Sequence, residues 1–375
     1  MLAKGLFWGS LAGLAWTHVG YPLAAAAAAR LRPRPVRRGD DLPTVTVIVA
    51  AHDEEEVIER RLENLLALDY PGELFDVIVA SDASSDRTDE LVEALAAREP
   101  RVRLLRCPRG GKVNAQNLAV REARGEIVAF SDANATWAPG ALRALVRNFS
   151  DPEVAYVCGR LQLLAAEGTN REGIYWRYEV WLRAQESAFG SVTGGYGSIY
   201  AVRRSDYVEV DSRFGHDFSL PYTLVQRGRR AVYEAEALAF EKPSRDQEDE
   251  YRRKVRMFEH GWLMLLAGGP LGGVDPVFAV ELISHRYLRY ASGLLHVVLL
   301  GSNAALLDEG AVYRLAFAGQ LGWLALAAAG RQRLPVPGAG IAYYYLLVSL
   351  ATVVSLARYL RFGVPAVWDK APGTR

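Results

Sequence analysis

Four polar clusters follow four apolar, β-branched runs, and their side chains are of the kinds that handle phosphate, divalent cations and protons. Thr44–Ala50 leads into Ala51-His52-Asp53-Glu54, and Phe75–Ala80 into Ser81-Asp82-Ala83-Ser84-Ser85-Asp86. Val102–Arg106 is followed by Arg109-Gly110-Gly111-Lys112, and Glu126–Ser131 by Asp132-Ala133-Asn134. Carboxylate and amide oxygens are hard donors suited to Mg2+ or Mn2+, which bridge a diphosphate. Lys112 offers a point charge for phosphate, in a chain with five lysines against 39 arginines. Small residues at Ala50, Ala51, Gly110 and Gly111 leave room for a flat ring and a diphosphate beside the backbone. Further on, His216-Asp217-Phe218 and Arg253-Lys254-Val255-Arg256 add a carboxylate and a basic run. Each cluster alone also has a structural explanation. Asp and Ser cap helices after strands, and Asp217 can cap a helix over Ser219–Arg227. The basic run can equally be a solvated helix face meeting anionic lipid. Neither GxxxxGK[ST] nor GxGxxG occurs, so P-loop and dinucleotide-binding readings fail.

The elements that must position these groups are read from periodicity. Between about residues 40 and 265 strand runs alternate with helical ones, as in Glu54–Leu66, whose Val57, Leu62, Leu65 and Leu66 share one face. Repeated strand–helix units predict an α/β fold, a mostly parallel sheet with helices on both faces. Such sheets bind ligands beyond the carboxyl ends of their strands, which is where all four clusters fall.

Composition bounds the rest. In 375 residues, 44 basic and 43 acidic side chains leave a net charge of +1. No global basic field is available, so no nucleic-acid partner is expected. Cys107 and Cys158 cannot build a disulfide framework or a zinc ribbon. The mean hydropathy of +0.01 averages over unlike parts, because the apolar residues crowd the two ends. Gly5–Ala29 carries no charged residue and is long enough to cross a bilayer core of roughly 30 Å. Arg30, Arg32, Arg34, Arg37 and Arg38 follow, placing that junction in the cytosol. Lys4 and the alanine run also imitate a cleaved signal peptide. Three more apolar stretches lie at Leu288–Leu307, Val312–Gly330 and Ala339–Ala357. Three full spans there would leave Arg358, Arg361 and Lys370 outside, so either one stretch is interfacial or re-entrant, or the tail charges snorkel.

The clusters, taken in order, resemble the inverting family-2 glycosyltransferases with a GT-A fold, particularly membrane-embedded synthases of the cellulose, hyaluronan and poly-N-acetylglucosamine type. The resemblance runs from Pro43 to Trp262. Val49–Glu55 is similar to the family's opening strand and turn, Asp82-Ala83-Ser84 to its Asp-Gly-Ser turn, and Asp132-Ala133-Asn134 to its DxD motif. Gly197-Ser198 with Arg203-Arg204 resembles its acceptor-side segment. His216-Asp217 stands where the family has an acidic pair. Arg253 to Arg256 partly matches QxxRW, without the Gln and the Trp.

The resemblance implies a GT-A nucleotide-sugar-binding domain with transmembrane helices at both ends. Ala51, Glu54, Asp82, Lys112, Asp132, Arg253 and Arg256 would bind a nucleotide-sugar donor, UDP-linked by that likeness. Asp132 and Asn134 would hold Mg2+ or Mn2+, weakened by the amide at the third position. Gly197, Ser198 and His216 would face the acceptor, and Asp217 would be the general base. Tyr175, Trp176, Tyr178 and Trp181 could form an aromatic sugar platform or simply pack. The expected organisation is an N-terminal transmembrane helix (1–30), a basic linker (31–42), the catalytic domain (43–265), an interfacial segment (266–287), a membrane region (288–360) and a polar tail (361–375). The expected activity is sugar transfer to a hydroxyl of a growing polysaccharide or lipid-linked acceptor, at the inner cell membrane as a multi-pass protein beside other envelope-biosynthesis proteins. Single-sugar transfer to a lipid and a non-catalytic sugar- or nucleotide-binding subunit stay open beside it.

Overall fold

A computed structural model describes residues 1–164, 172–242 and 247–365. Lys370 and the rest of the tail from residue 366 lie outside the described residues, as does the side chain of Tyr175. The chain opens with α1 (Leu2–Ala15), a one-turn π-bulge at Trp16–Gly20 and α2 (Tyr21–Leu31). The α/β region then runs β1 (Val45–Ala51), α3 (Ile58–Leu66), β2 (Phe75–Asp82), α4 (Thr88–Ala96), β3 (Val102–Cys107), α5 (Lys112–Glu122) and β4 (Ile127–Asp132). It continues through β5 (Thr136–Trp137), α6 (Ala141–Val146), β6 (Val154–Leu163), α7 (Glu172–Phe189), β7 (Tyr200–Arg203), α8 (His216–Gln226) and β8 (Arg230–Glu241). Last come α9 (Gln247–Ala267), α10 (Pro276–Glu281), a second π-bulge at Leu282–Tyr287, α11 (Leu288–Ala304), α12 (Ala311–Arg331) and α13 (Ala339–Phe362).

The eight strands form one mixed sheet in the order β3-β2-β1-β4-β7-β6-β8-β5. Strands β3, β2, β1 and β4 are parallel, β7 is antiparallel to both neighbours, and β6 and β8 are parallel. The alternation of β-branched residues explains the layering. Val45, Val47 and Val49 pack into the core on one face, while Ile48, Ile78 and Phe130 pack into the core on the other. Strands buried on both faces read as continuous apolar runs, which is why the four strand-end clusters stand out in the sequence.

The basic linker is strapped to the domain rather than loose. The Arg34 amide donates to the Ala188 carbonyl at 2.8 Å, and Arg34 and Arg38 pair with Glu153 and Glu234 at 3.0 and 3.2 Å. Near the start of α1, Lys4 pairs with Glu309, in the turn before α12, at 2.8 Å. The other end of the helical region is docked on the α/β domain: Trp262 Nε1 on α9 donates to the Thr352 carbonyl of α13 at 2.9 Å, and Arg358 pairs with Glu259 at 2.5 Å. Arg358 therefore lies beside α9. Among the described residues, α12 and α13 are long and apolar enough to cross a membrane. The N-terminal segment expected to span is helical, with the π-bulge at its middle.

Candidate active site

The site is built at the carboxyl ends of β1, β2, β4 and β8. The first two strand ends are laced together. Asp53 Oδ1 accepts from the Ser85 amide at 2.6 Å and the Ser85 hydroxyl at 3.2 Å, while the Asp53 amide donates to Ser84 Oγ at 3.1 Å. The Glu54 amide donates to Thr88 Oγ1 at 2.6 Å, and Ala51, buried at the end of β1, sits level with Ser81. Asp53 and Ala83 both have positive φ, 52° and 54°, a conformation that costs a non-glycine residue about 1–2 kcal/mol. Ala83 occupies the position where the resembled turn has glycine, and it adopts the glycine-like backbone. Such strain is held where surrounding hydrogen bonds over-determine it.

Asp82 is buried and anchors the Arg109–Lys112 loop. It accepts from Arg109 Nη1 at 2.5 Å, from the Gly110 amide at 2.7 Å and from the Gly111 amide at 3.0 Å. Gly111 takes φ 87° there, which glycine adopts at little cost, and the turn launches α5 with Lys112 as its first residue. The Lys112 ammonium then reaches across to pair with Asp132 at the end of β4. Burial opposes the lysine's charge, but the carboxylates of Asp132, Asp217 and Glu241 outweigh it and raise its pKa.

Gly197 lies among these groups. A Cβ there would stand 3.1 Å from Lys112 Nζ, 3.5 Å from Asp132 Oδ2 and 3.8 Å from Asp217 Oδ2. The absence of a side chain is thus what lets a lysine and two carboxylates converge. Asp217, in the first turn of α8, is held by its backbone: its carbonyl accepts from the Gly195 amide at 2.8 Å. Burial raises the Asp217 carboxyl above the ordinary carboxylate range, with Lys112 working against that shift and Asp132 adding to it. Asn134 is half-buried two residues beyond Asp132.

Two residues essential to this geometry were not legible beforehand. Glu241, the last residue of β8, shares the site with Asp132, Lys112 and Arg253, and burial followed by the Asp132 charge pushes its carboxyl up to about 7. Its only sequence signal is an acid closing an apolar strand. Arg61 on α3 is buried beneath β4, donating to Ser131 Oγ at 2.7 Å and lying 5.0 Å from the Trp137 ring centroid. Burial lowers its pKa to about 9, partly offset by Asp132; an arginine on an amphipathic helix gives no hint of this.

His216 belongs to the core. Its ring is buried, with Nδ1 2.5 Å from the Tyr200 hydroxyl, Nε2 2.9 Å from the Tyr207 hydroxyl and the Phe130 ring edge-on at 4.8 Å. The expected contact with an acceptor is therefore corrected, since both ring nitrogens are committed to tyrosines. Burial, then the Lys112 charge, lowers its pKa to about 3. A base held neutral in the fold stabilises it above the unfolded value of about 6.5 and loses that contribution as pH falls. His216→Leu should remove one hydrogen bond from each of two tyrosine hydroxyls, which keep Gln116 Nε2 and Asn117 Oδ1 as partners, and cost about 1–3 kcal/mol. It should also flatten the decline in thermal midpoint between pH 6.5 and 5, measured by circular dichroism.

A cavity of about 590 Å³ opens from this constellation. Lys112, Asp132, Gly197, Ser198, Asp217 and Glu241 line one end, with Arg253 from α9. Arg256 is not among the lining residues, because Arg253, Met257 and Gly261 present the cavity-facing side of α9 and Arg256 sits on its flank. Of the two arginines expected to meet the donor, Arg253 lines the cavity and Arg256 does not. Ala51, Glu54 and Asp82 lie apart from this cavity, at the laced strand ends. Trp176 and Tyr178 line the cavity, whereas Trp181 is exposed. The other end is walled by Ile341, Tyr344, Tyr345, Val348 and Thr352 of α13 and by His18 from the first π-bulge.

The chain matches Glycosyl transferase family 2 over residues 46–210. It is 31% identical to a beta-monoglucosyldiacylglycerol synthase of Trichormus variabilis, over 52% of this chain and 44% of that protein. It is 28% identical to an N-acetylglucosaminyltransferase of Rhizobium meliloti, over 74% of this chain and 69% of that protein. The chain therefore aligns with less than half the length of the first relative. A mannosyltransferase of Pyrobaculum calidifontis, solved with GDP-Man and Mn2+, superposes with a TM-score of 0.73 at 24% identity, covering 95% of this chain and 99% of that one. That likeness gives the fold. The match identifies residues 46–210 as a Glycosyl transferase family 2 domain, carried on a sheet of GT-A type.

Proposed function

We propose that the protein transfers a sugar from a nucleotide-diphospho-sugar, with inversion, to a hydroxyl on a lipid or lipid-linked acceptor at the cell membrane. The observation that carries this reading is the single cavity running from Asp217, Asp132 and Lys112 to the apolar residues Ile341 and Val348 of α13. An acceptor seated in it would have its hydroxyl at the carboxylates and its aliphatic part against a helix of membrane-spanning length. Residues 43–265 would be the catalytic domain, facing the cytosol, with the helices of 1–30 and 288–360 in or on the bilayer.

In the chemistry proposed, Asp217 takes the proton of the acceptor hydroxyl as that oxygen attacks the anomeric carbon opposite the leaving diphosphate. Lys112 and Arg253 neutralise the charge that grows on the leaving group. The laced ends of β1 and β2, with Ala51, Glu54 and Asp82, would take the nucleoside. Gly197 and Ser198 would border the acceptor. A divalent cation fits the residues present: Asp132 and Glu241 offer carboxylates and Asn134 an amide oxygen. No group of three His, Cys, Asp or Glu positioned to hold a metal occurs among the described residues, so Mg2+ or Mn2+ would depend on the donor's phosphates for further ligands. When bound, it would supply Lewis-acid stabilisation of the diphosphate.

The donor's base and sugar are open to direct assay. Purified full chain should release nucleoside diphosphate from one member of a panel of UDP- and GDP-sugars, faster when a lipid extract is added. Binding of a donor without turnover by the full panel would favour the non-catalytic alternative.

A further inference from the structure

The segment Thr193–Ser198 organises more than the catalytic groups. Gly197 faces Lys112, Asp132 and Asp217. One residue earlier, the Tyr196 ring supports Arg183 of α7, whose guanidinium carbon lies 4.0 Å from the ring centroid. Three residues before that, Thr193 fixes Arg286 from the second π-bulge, accepting from its Nε at 2.9 Å through the carbonyl and 3.0 Å through the hydroxyl. Gly194 has φ 158°, and a Cβ on it would come within 2.7 Å of Arg286 Nη2. Both guanidinium groups line the cavity that holds Asp217.

Arg183 is 4% exposed, and beside the Tyr196 side chain that holds it, its Nε and Nη1 have no hydrogen-bond partner among the described residues. Nearby Glu179 is committed elsewhere, paired with Arg289 and 3.5 Å from His285 Nε2. A buried guanidinium with orphaned donors is costly, and guanidinium forks match phosphate oxygens. π-bulges recur at functional sites, and here one delivers Arg286.

We infer that Arg183 and Arg286 form an anion subsite beside the catalytic base, and that it holds a phosphate on the head of the lipid acceptor. This rests on the lipid-acceptor reading above and narrows it from lipids in general to phosphate-bearing ones. The donor diphosphate is assigned to Lys112 and Arg253 instead.

The test titrates full-length protein in a neutral polyoxyethylene detergent with short-chain phosphatidic acid, the matching diacylglycerol and inorganic phosphate, following tryptophan fluorescence. Trp176, whose ring centroid is 5.0 Å from that of Tyr196, is the natural reporter. The expected result is binding of phosphatidic acid at least about 10-fold tighter than diacylglycerol, as for charge-assisted hydrogen bonds. Arg183→Gln should erase most of that preference and Arg183→Lys restore part of it. Equal binding of the two lipids overturns the subsite and leaves the lipid acceptor standing. Binding of neither lipid overturns both. Inorganic phosphate binding as tightly as phosphatidic acid would assign the subsite to the free ion and overturn the lipid part. A loss of nucleotide-sugar affinity in Arg183→Gln as large as the loss for phosphatidic acid would move Arg183 to the donor and overturn the inference.

Discussion

Asp217→Asn is expected to lower sugar transfer by about 10²–10⁴-fold, the usual contribution of a positioned base. The substitution keeps side-chain volume and leaves untouched the Gly195 amide bond to the Asp217 carbonyl, 2.8 Å long. It removes the ability to accept a proton, together with one of the negative charges that face Lys112. The wild-type enzyme should also lose activity as pH falls through the Asp217 pKa. Burial sets that pKa above the ordinary carboxylate range. The deprotonated base is present above it and lost below it, so the acid limb lies higher than for a solvent-exposed aspartate. Nucleotide release followed against pH checks both statements, and full activity in the variant would remove Asp217 from the role assigned here.

Asp132→Asn should be comparably damaging, for a different reason. Asp132 is the partner of Lys112 and a neighbour of Glu241, so one carboxylate organises both the phosphate-facing ammonium and the oxygen donors. Without it Lys112 remains among Asp217 and Glu241 but loses its nearest counter-charge. The side chains are about 28% and 29% exposed, so the stability loss should be about 1–3 kcal/mol, below the 3–5 of a fully buried pair. Activity should fall about 10²–10³-fold, as when a preorganised charge is removed from developing phosphate charge. The dependence on Mg2+ or Mn2+ should shift to higher concentration. A variant with an unchanged metal titration would take Asp132 out of the cation's coordination.

The α/β architecture was legible because its signals are local. Each strand is a β-branched run and each strand end a sudden polar cluster, and the parallel order of β1, β2, β3 and β4 follows from strand–helix alternation alone. Lys112, Asp132 and Asp217 were legible for the same reason: each closes or opens an element. Glu241 was not, because it meets Asp132 only through the crossing of β8 over the second half of the sheet, more than a hundred residues later. Arg183 and Arg61 look like ordinary surface arginines on amphipathic helices until tertiary packing buries them. His216 misled in the opposite direction. Adjacent to Asp217 in sequence, it points the other way, since neighbouring residues at a helix start face different sides and Tyr200 and Tyr207 claim its ring. The basic run on α9 showed the same limit. Spacing alone could not say whether Arg253 or Arg256 faces inward; the docking of α9 against α13 through Trp262 decides it.

If one cavity joins a sugar-transfer site to membrane-associated helices, a lipid receives the sugar. Full-length protein in lipid nanodiscs, supplied with a radiolabelled nucleotide-sugar and a lipid extract, should then partition label into the organic phase. That label should accumulate with wild type and not with Asp217→Asn. Label recovered only as free sugar or water-soluble polymer, at the same rate with and without lipid, would rule out a lipid acceptor.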